Sequence, residues 1–326
     1  MSRASNRFGP SSFGPVAVTT RNDYDENVHF GAAVVVDAEG AITDSIGDVE
    51  LPVYPRSALK PFQASAMVRA GLDLPHRLLA VVAASHSGEQ PHLDAVAEIL
   101  ERHDLSVDAL ANTPDRPYGA AARRTSLAEG IDASALQQNC SGKHAGMLAT
   151  CRVNGWSIEG YLEATHPLQE AIGVEIDRLA GRATGSITHV GVDGCGAPTH
   201  VMPLVDVAQA MRTLAVERSD VPKAMMAAPA LVGGTDRDVT LWMEAVPDLA
   251  AKEGADGVMV ASLADGRAAS LKIADGRDDV RRAVTVELLR RLGVDVDGHP
   301  TVLDRVRVDV RGHGAVVGAC APLDWP

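Results

Sequence analysis

Strand-forming segments lie at both ends of the chain and helical periodicity fills the stretch between, a distribution that limits the fold more than any other feature. Residues 16–20, 28–37 and 41–46 read as strands, the last two joined as a hairpin across Ala38-Glu39-Gly40. Helical patterns dominate from Ser57 to about Arg182, at 75–83, 91–103, 142–153 and 167–180. Strand character returns at 187–192, 257–263 and 268–273, with helices at 199–216 and 278–292. A second hairpin is expected from 302–310 and 315–319 around Gly312 and Gly314. Distant strands that must share one sheet predict an α+β fold: a mixed antiparallel sheet built from both chain ends, with a helical lobe inserted between its halves. Residues 1–14, rich in Ser, Gly, Pro and Asn, read as a flexible tail, and 15–326 as a single two-lobed domain.

Ser57 and Lys60 stand three residues apart in Pro55-Arg56-Ser57-Ala58-Leu59-Lys60-Pro61-Phe62-Gln63. A helix starting near Ser57 projects both from one side, which puts an amine beside a hydroxyl. A neutral lysine can take a serine's proton if burial or a neighbouring cation lowers its pKa. Ser-x-x-Lys is common by chance, and a capping serine with a solvated lysine one turn on is its ordinary meaning. The lysine usage shifts the balance, because only Lys60, Lys143, Lys223, Lys252 and Lys272 occur among 30 basic residues. Arginine, permanently charged, could not serve as the base.

Other stretches carry chemistry more weakly. Ser85-His86-Ser87-Gly88-Glu89 follows an apolar helix and either caps and turns it or turns Ser85 or His86 toward a cleft shared with Ser57. Lys272 closes a strand, where an exposed lysine is the ordinary reading. Cys140 and Lys143 open a helix one turn apart, and Cys195 follows Asp193 in a glycine-rich turn. Two such cysteines are either inert packing or part of a zinc site completed by His144, Asp193 or Lys143.

Charge excludes some partners. With 43 acidic against 30 basic residues and a net charge of -13, the chain is unsuited to nucleic acid or an anionic membrane, and a small uncharged or zwitterionic substrate fits better. No apolar run spans a bilayer and no secretory core is evident, so a cytoplasmic location is expected. The four scattered cysteines form no disulfide framework.

Taken in order, the Pro55–Gln63 and Ser85–Glu89 stretches, Asn139-Cys140-Ser141-Gly142-Lys143-His144-Ala145-Gly146, Gly191-Val192-Asp193-Gly194-Cys195-Gly196-Ala197-Pro198 and Gly233-Gly234-Thr235 resemble the Rhizobium etli-type (class 3, asparaginase II) L-asparaginases from about Val16 to about Gly318. The resemblance implies hydrolysis of L-asparagine to aspartate and ammonia, a fold like that of serine β-lactamases and glutaminases, and a homodimer. Carried over by motif, Ser57 pairs with Lys60 and Ser85 with Lys272. Cys140, Lys143 and Cys195 fall on positions that hold zinc, and Arg56, His144 and Asp193 near the bound amino acid, where His86 and Asn139 are also expected. The chain departs from the pattern at Val258 and Met259, where some relatives have another cysteine, and at Asp236, where glycine is more usual. On this reading Ser57 attacks the side-chain amide while Lys60 takes its proton, Ser85 relays a proton to the leaving ammonia, and backbone N–H groups hold the oxyanion. The rival readings are a β-lactamase- or transpeptidase-like serine hydrolase, which Ser-Asp-Asn and Lys-Thr-Gly motifs would mark and which are absent, and a non-catalytic zinc-binding amino-acid sensor.

Overall fold

The computed structural model describes residues 8–9, 11–187 and 189–325. The chain opens with β1 (Gly14–Arg21), β2 (Tyr24–Val36) and β3 (Ile42–Ile46), followed by the two-residue β4 (Pro52–Val53) and a 3-10 turn, Arg56–Leu59. Then come α1 (Lys60–Arg69), α2 (His76–Val82), α3 (Gln90–Glu101), α4 (Ala120–Ala128), α5 (Ser141–Asn154) and α6 (Pro167–Leu179). Short strands β5 (Val190–Val192), β6 (Pro198–His200) and β7 (Met202–Pro203) lead into α7 (Leu204–Val216), α8 (Asp220–Ala227), α9 (Pro229–Val232) and α10 (Asp238–Ala245). The chain returns to the sheet through β8 (Leu249–Gly254), β9 (Val258–Leu263) and β10 (Ala268–Ile273). It closes with α11 (Asp278–Leu292), α12 (Pro300–Val306), β11 (Val308–Gly312) and β12 (Ala315–Pro322).

The main sheet runs β11-β12-β1-β2-β10-β9-β8, with β3 also on β2. Strands from the two chain ends therefore share one sheet, as the sequence distribution requires; of the helices between β3 and β8, α1 to α6 pack mainly among themselves, while α7, α8 and α10 pack on the sheet. Every pairing found is antiparallel, which corrects the expected mixed sheet: among the described residues no parallel ladder occurs. Each return of the chain to a neighbouring strand is by hairpin or from the opposite end, so no parallel crossover is needed. Residues 34–36 of β2, Val-Val-Val, are buried, as are all residues of β9 and β10, because α7 and α11 cover this part of the sheet, and β8 is buried under α8, α10 and the 3-10 turn. A single core cluster extends from Val16 to Trp325. Among the described residues no helix is long and apolar enough to cross a membrane.

Of the expected tail, residues 1–7 and 10 lie outside the described residues. Ser12 is buried and its carbonyl accepts from the Asp48 N–H at 3.0 Å, so the packed chain starts before residue 15. Residues 302–306, the first part of the strand expected at 302–310, belong instead to α12, with Pro300 at the first helical turn, where its missing N–H costs nothing.

Two local features set the cleft. The α-helix expected from Ser57 begins only at Lys60, because Pro61 lacks the N–H that would bond the Ser57 carbonyl. That carbonyl instead accepts from the Lys60 N–H three residues on, and Arg56–Leu59 tightens into a 3-10 turn. The turn leans on β8, where any Cβ at Gly254 would overlap the Pro55 carbonyl oxygen.

Candidate active site

Ser57 on the 3-10 turn and Ser85, just after α2, line one cleft of about 170 Å³ with Tyr118, Asn139, Arg237, Glu253 and Asp256. Ser85 is nearly enclosed, and two amines converge on its hydroxyl: Lys60 Nζ at 3.0 Å and Lys252 Nζ at 2.8 Å. Lys60 also donates to the carbonyls of Ala84 (2.5 Å) and Asn139 (3.4 Å). Ser57 Oγ has no hydrogen bond among the described residues, so the Ser57–Lys60 pairing expected from the helical spacing is corrected. The 3-10 turn changes the direction of Ser57 while α1 carries the Lys60 amine to Ser85.

The second lysine is also corrected. Lys272 lies on β10, two strands from β8, and its amine donates to the carbonyls of Asp256 and Ile273, each at 2.6 Å. Lys252, on the edge strand that abuts the 3-10 turn, makes the Ser85 contact expected of Lys272. Lys252 is fully buried, and this burial pushes its pKa down to about 7. Glu253 opposes the shift, while the Lys60 and Arg237 cations add to it.

Arg237, Glu253 and Tyr118 were not foreseen either. Arg237 donates to Glu253 Oε1 at 2.7 Å and to the Ser85 carbonyl at 3.3 Å, with its guanidinium 4.6 Å from the Tyr118 ring centroid. The signal for Lys252 was present in the scarcity of lysine. Nothing in Gly233-Gly234-Thr235-Asp236-Arg237 pointed to its arginine rather than its glycines.

Among the residues expected at the substrate, Asn139 lines the cleft. Arg56, held at φ 55°, donates to Asp193 at 2.7 Å and to Asp256 at 2.5 Å, so these charges are already paired. His86 is corrected: it is wholly buried, with Nε2 2.9 Å from Ser141 Oγ, Nδ1 accepting from the Gly88 N–H, and its ring stacked on His92. Both ring nitrogens are used inside the protein, behind Ser85. His144 is likewise buried, its Nδ1 2.8 Å from the Tyr161 hydroxyl and its Nε2 without a partner among the described residues.

Cys140, Lys143 and Cys195 do come together. Cys140 precedes α5, Lys143 stands in its first turn, and the Lys143 amine is 3.2 Å from Cys195 Sγ on the turn between β5 and β6. A hydrogen bond from Cys195 pushes the Cys140 thiol well below its usual range, helped by the Lys60 and Lys143 cations, and the same contact raises Cys195. Burial works against the Lys143 charge, yet the two sulfurs and Asp193 raise its pKa. Among the described residues no group of three His, Cys, Asp or Glu side chains could hold a metal. A metal here would therefore need the lysine amine as its third donor.

No curated protein matches the chain at a significant level. The family model for L-asparaginase II matches residues 17–322, a span that contains the cleft, both serines and all three cluster residues. The chain belongs to the L-asparaginase II family, amidohydrolases that act on asparagine.

Proposed function

We propose that the chain hydrolyses the side-chain amide of L-asparagine by Ser-Lys covalent catalysis in this cleft, with Ser85 as nucleophile. The observation that carries the reading is the Ser85 hydroxyl between two lysine amines, at 3.0 and 2.8 Å, one of them with a pKa near neutrality. Neutral Lys252 takes the Ser85 proton as Oγ bonds to the amide carbon, while Lys60, a second donor on the same oxygen, holds it in place. Because the Ser85 N–H is given to the Val232 carbonyl (3.1 Å), the Ser57 N–H is the proposed oxyanion donor. The C–N bond then breaks, ammonia leaves with the proton held by Lys252, and an aspartyl ester remains on Ser85. Water attacks that ester, Lys252 accepts its proton, and the proton returns to Ser85 as aspartate departs. Ser57, the other hydroxyl on the cleft, is assigned to positioning the leaving ammonia or the incoming water, the reverse of the roles its helical spacing implied.

Thiolates bind zinc well, so Cys140 and Cys195 would hold the ion, with Lys143 as third donor once its amine gives up its proton and a fourth position open. When bound, zinc would supply a fixed positive charge for orienting the amino acid. Asp193, bonded to Arg56, and His144 stand beside Cys195 and Lys143 in the chain and are assigned to that end of the amino acid, and Asn139 forms part of the cleft wall. The proposal includes one two-lobed domain whose packed chain begins before residue 15, a fold of the serine β-lactamase and glutaminase type, a cytoplasmic location and a homodimer. Tyr24, Val28 and Phe30, exposed along β2, offer apolar surface for the homodimer. Ammonia release from L-asparagine and L-glutamine, with wild type and Ser85→Ala side by side, tests the catalytic reading. Unchanged turnover in Ser85→Ala would end it.

A further inference from the structure

Glu253 lines the cleft with Ser57 and Ser85 and is 5 % exposed, yet only half of its carboxylate is occupied. Oε1 accepts from Arg237 at 2.7 Å and lies 3.2 Å from Lys252 Nζ. Oε2 has no hydrogen-bond partner among the described residues. Burial disfavours the charge, but the Lys252 and Arg237 cations hold the carboxyl below its usual range, so the empty oxygen belongs to an anion. A buried anionic oxygen without a donor is unfavourable, and a bound cation relieves it.

The other acid expected near the substrate is not free, since Asp193 is bonded to Arg56. Distance favours Glu253 as well. The α-ammonium of asparagine is separated from the amide carbon by a short chain of bonds, so its acceptor must lie close to the nucleophile. The Lys252 amine alone spans the gap, 2.8 Å from Ser85 Oγ and 3.2 Å from Glu253 Oε1. We propose that Glu253 Oε2 receives the α-ammonium of the bound amino acid, which makes Glu253 the residue that distinguishes an α-amino acid from its deamino analogue. The inference rests on the asparaginase reading of this cleft.

The test is titration calorimetry of L-aspartate, the product, and succinate, which lacks the ammonium, on wild type, Glu253→Gln and Glu253→Asp. Wild type is expected to prefer aspartate about 10- to 100-fold, as a charge-assisted hydrogen bond does. Glu253→Gln is expected to bring the two affinities within about three-fold, and Glu253→Asp to restore part of the preference. An effect transmitted only through Lys252 would change both affinities together and leave the ratio alone. An unchanged ratio in Glu253→Gln overturns the inference. Equal affinity in wild type overturns it too, and needs no variant to fold. If asparaginase turnover is present in either case, the catalytic reading survives. Wild type that binds neither ligand and releases no ammonia removes both.

Discussion

Ser85 Oγ lies 2.8 Å from Lys252 Nζ, a contact between a residue just after α2 and one on the last strand of the sheet, 167 positions apart in the chain. Its first consequence is a pH dependence. A base must be neutral to act, so kcat/KM for asparagine is expected to rise as Lys252 loses its proton through pH about 7 and to level off above it. Lys252→Met should lose roughly 10²- to 10⁴-fold in kcat, and Lys252→Arg should lose this limb of the profile with the activity. The same lysine affects stability. Between about 7 and 10.5 the unfolded chain carries the extra proton, so this group makes stability rise with pH across that window, as denaturant melts at several pH values can measure.

Lys272 supplies the contrast. Its amine is committed to the Asp256 and Ile273 carbonyls, and Lys272→Met should reduce kcat/KM by less than about ten-fold. A loss as large as that of Lys252→Met would return Lys272 to the catalytic role.

Metal content tests the cysteine cluster. Protein purified without chelator should carry about one zinc per chain by atomic absorption, and Cys195→Ser should lose most of it. Dialysis against a zinc chelator should raise KM for asparagine more than it lowers kcat. Metal-free wild type with full activity and unchanged KM would refute the zinc assignment.

Gly254 lets β8 touch the 3-10 turn. Gly254→Ala forces the Pro55 carbonyl away and should destabilise the protein by about 1–3 kcal/mol, with a fall in kcat because Ser57 moves with that carbonyl. Thermal melts and kinetics on one preparation give both values.

Asp238, on α10, and Arg281, on α11, form a buried ion pair with contacts at 2.5 and 3.3 Å, and Arg281 also donates to Asp278 on the cleft wall. Asp238→Ala leaves the guanidinium without its main partner and should cost about 3–5 kcal/mol. Burial opposes the Asp238 charge and Arg281 more than compensates, so its pKa is lowered. The stabilisation is present above the ordinary carboxylate range and disappears as pH falls through the lowered pKa. Urea titrations of wild type and variant at neutral and acidic pH measure both effects.

Much of this was legible from residue type alone. The Val-rich run in β2 and the alternating β10 announce strands, and β10 was read with the bounds it has, 268–273. β8 was not legible: Leu-Ala-Ala-Lys-Glu-Gly has no β-branched or aromatic side chain, and only pairing with β9 and burial on both faces make it a strand. With β8 unseen, Lys272 was the only lysine on a recognised late strand, and it inherited the Ser85 contact that sheet order gives to Lys252. The cysteine cluster was legible as motifs, but the partner of Lys60, Ser85, was not. One missing N–H at Pro61 redirects the turn, and helical spacing alone takes no account of it.

The Lys60 amine, bonded at once to Ala84, Ser85 and Asn139, clamps together pieces of chain that the polypeptide brings in from separate directions. A partly collapsed chain, with its helices formed but not yet docked, has nowhere to assemble the contacts around Ser85. Turnover during refolding should therefore lag behind far-ultraviolet ellipticity, and the interval between the two signals would time the closing of that three-way knot.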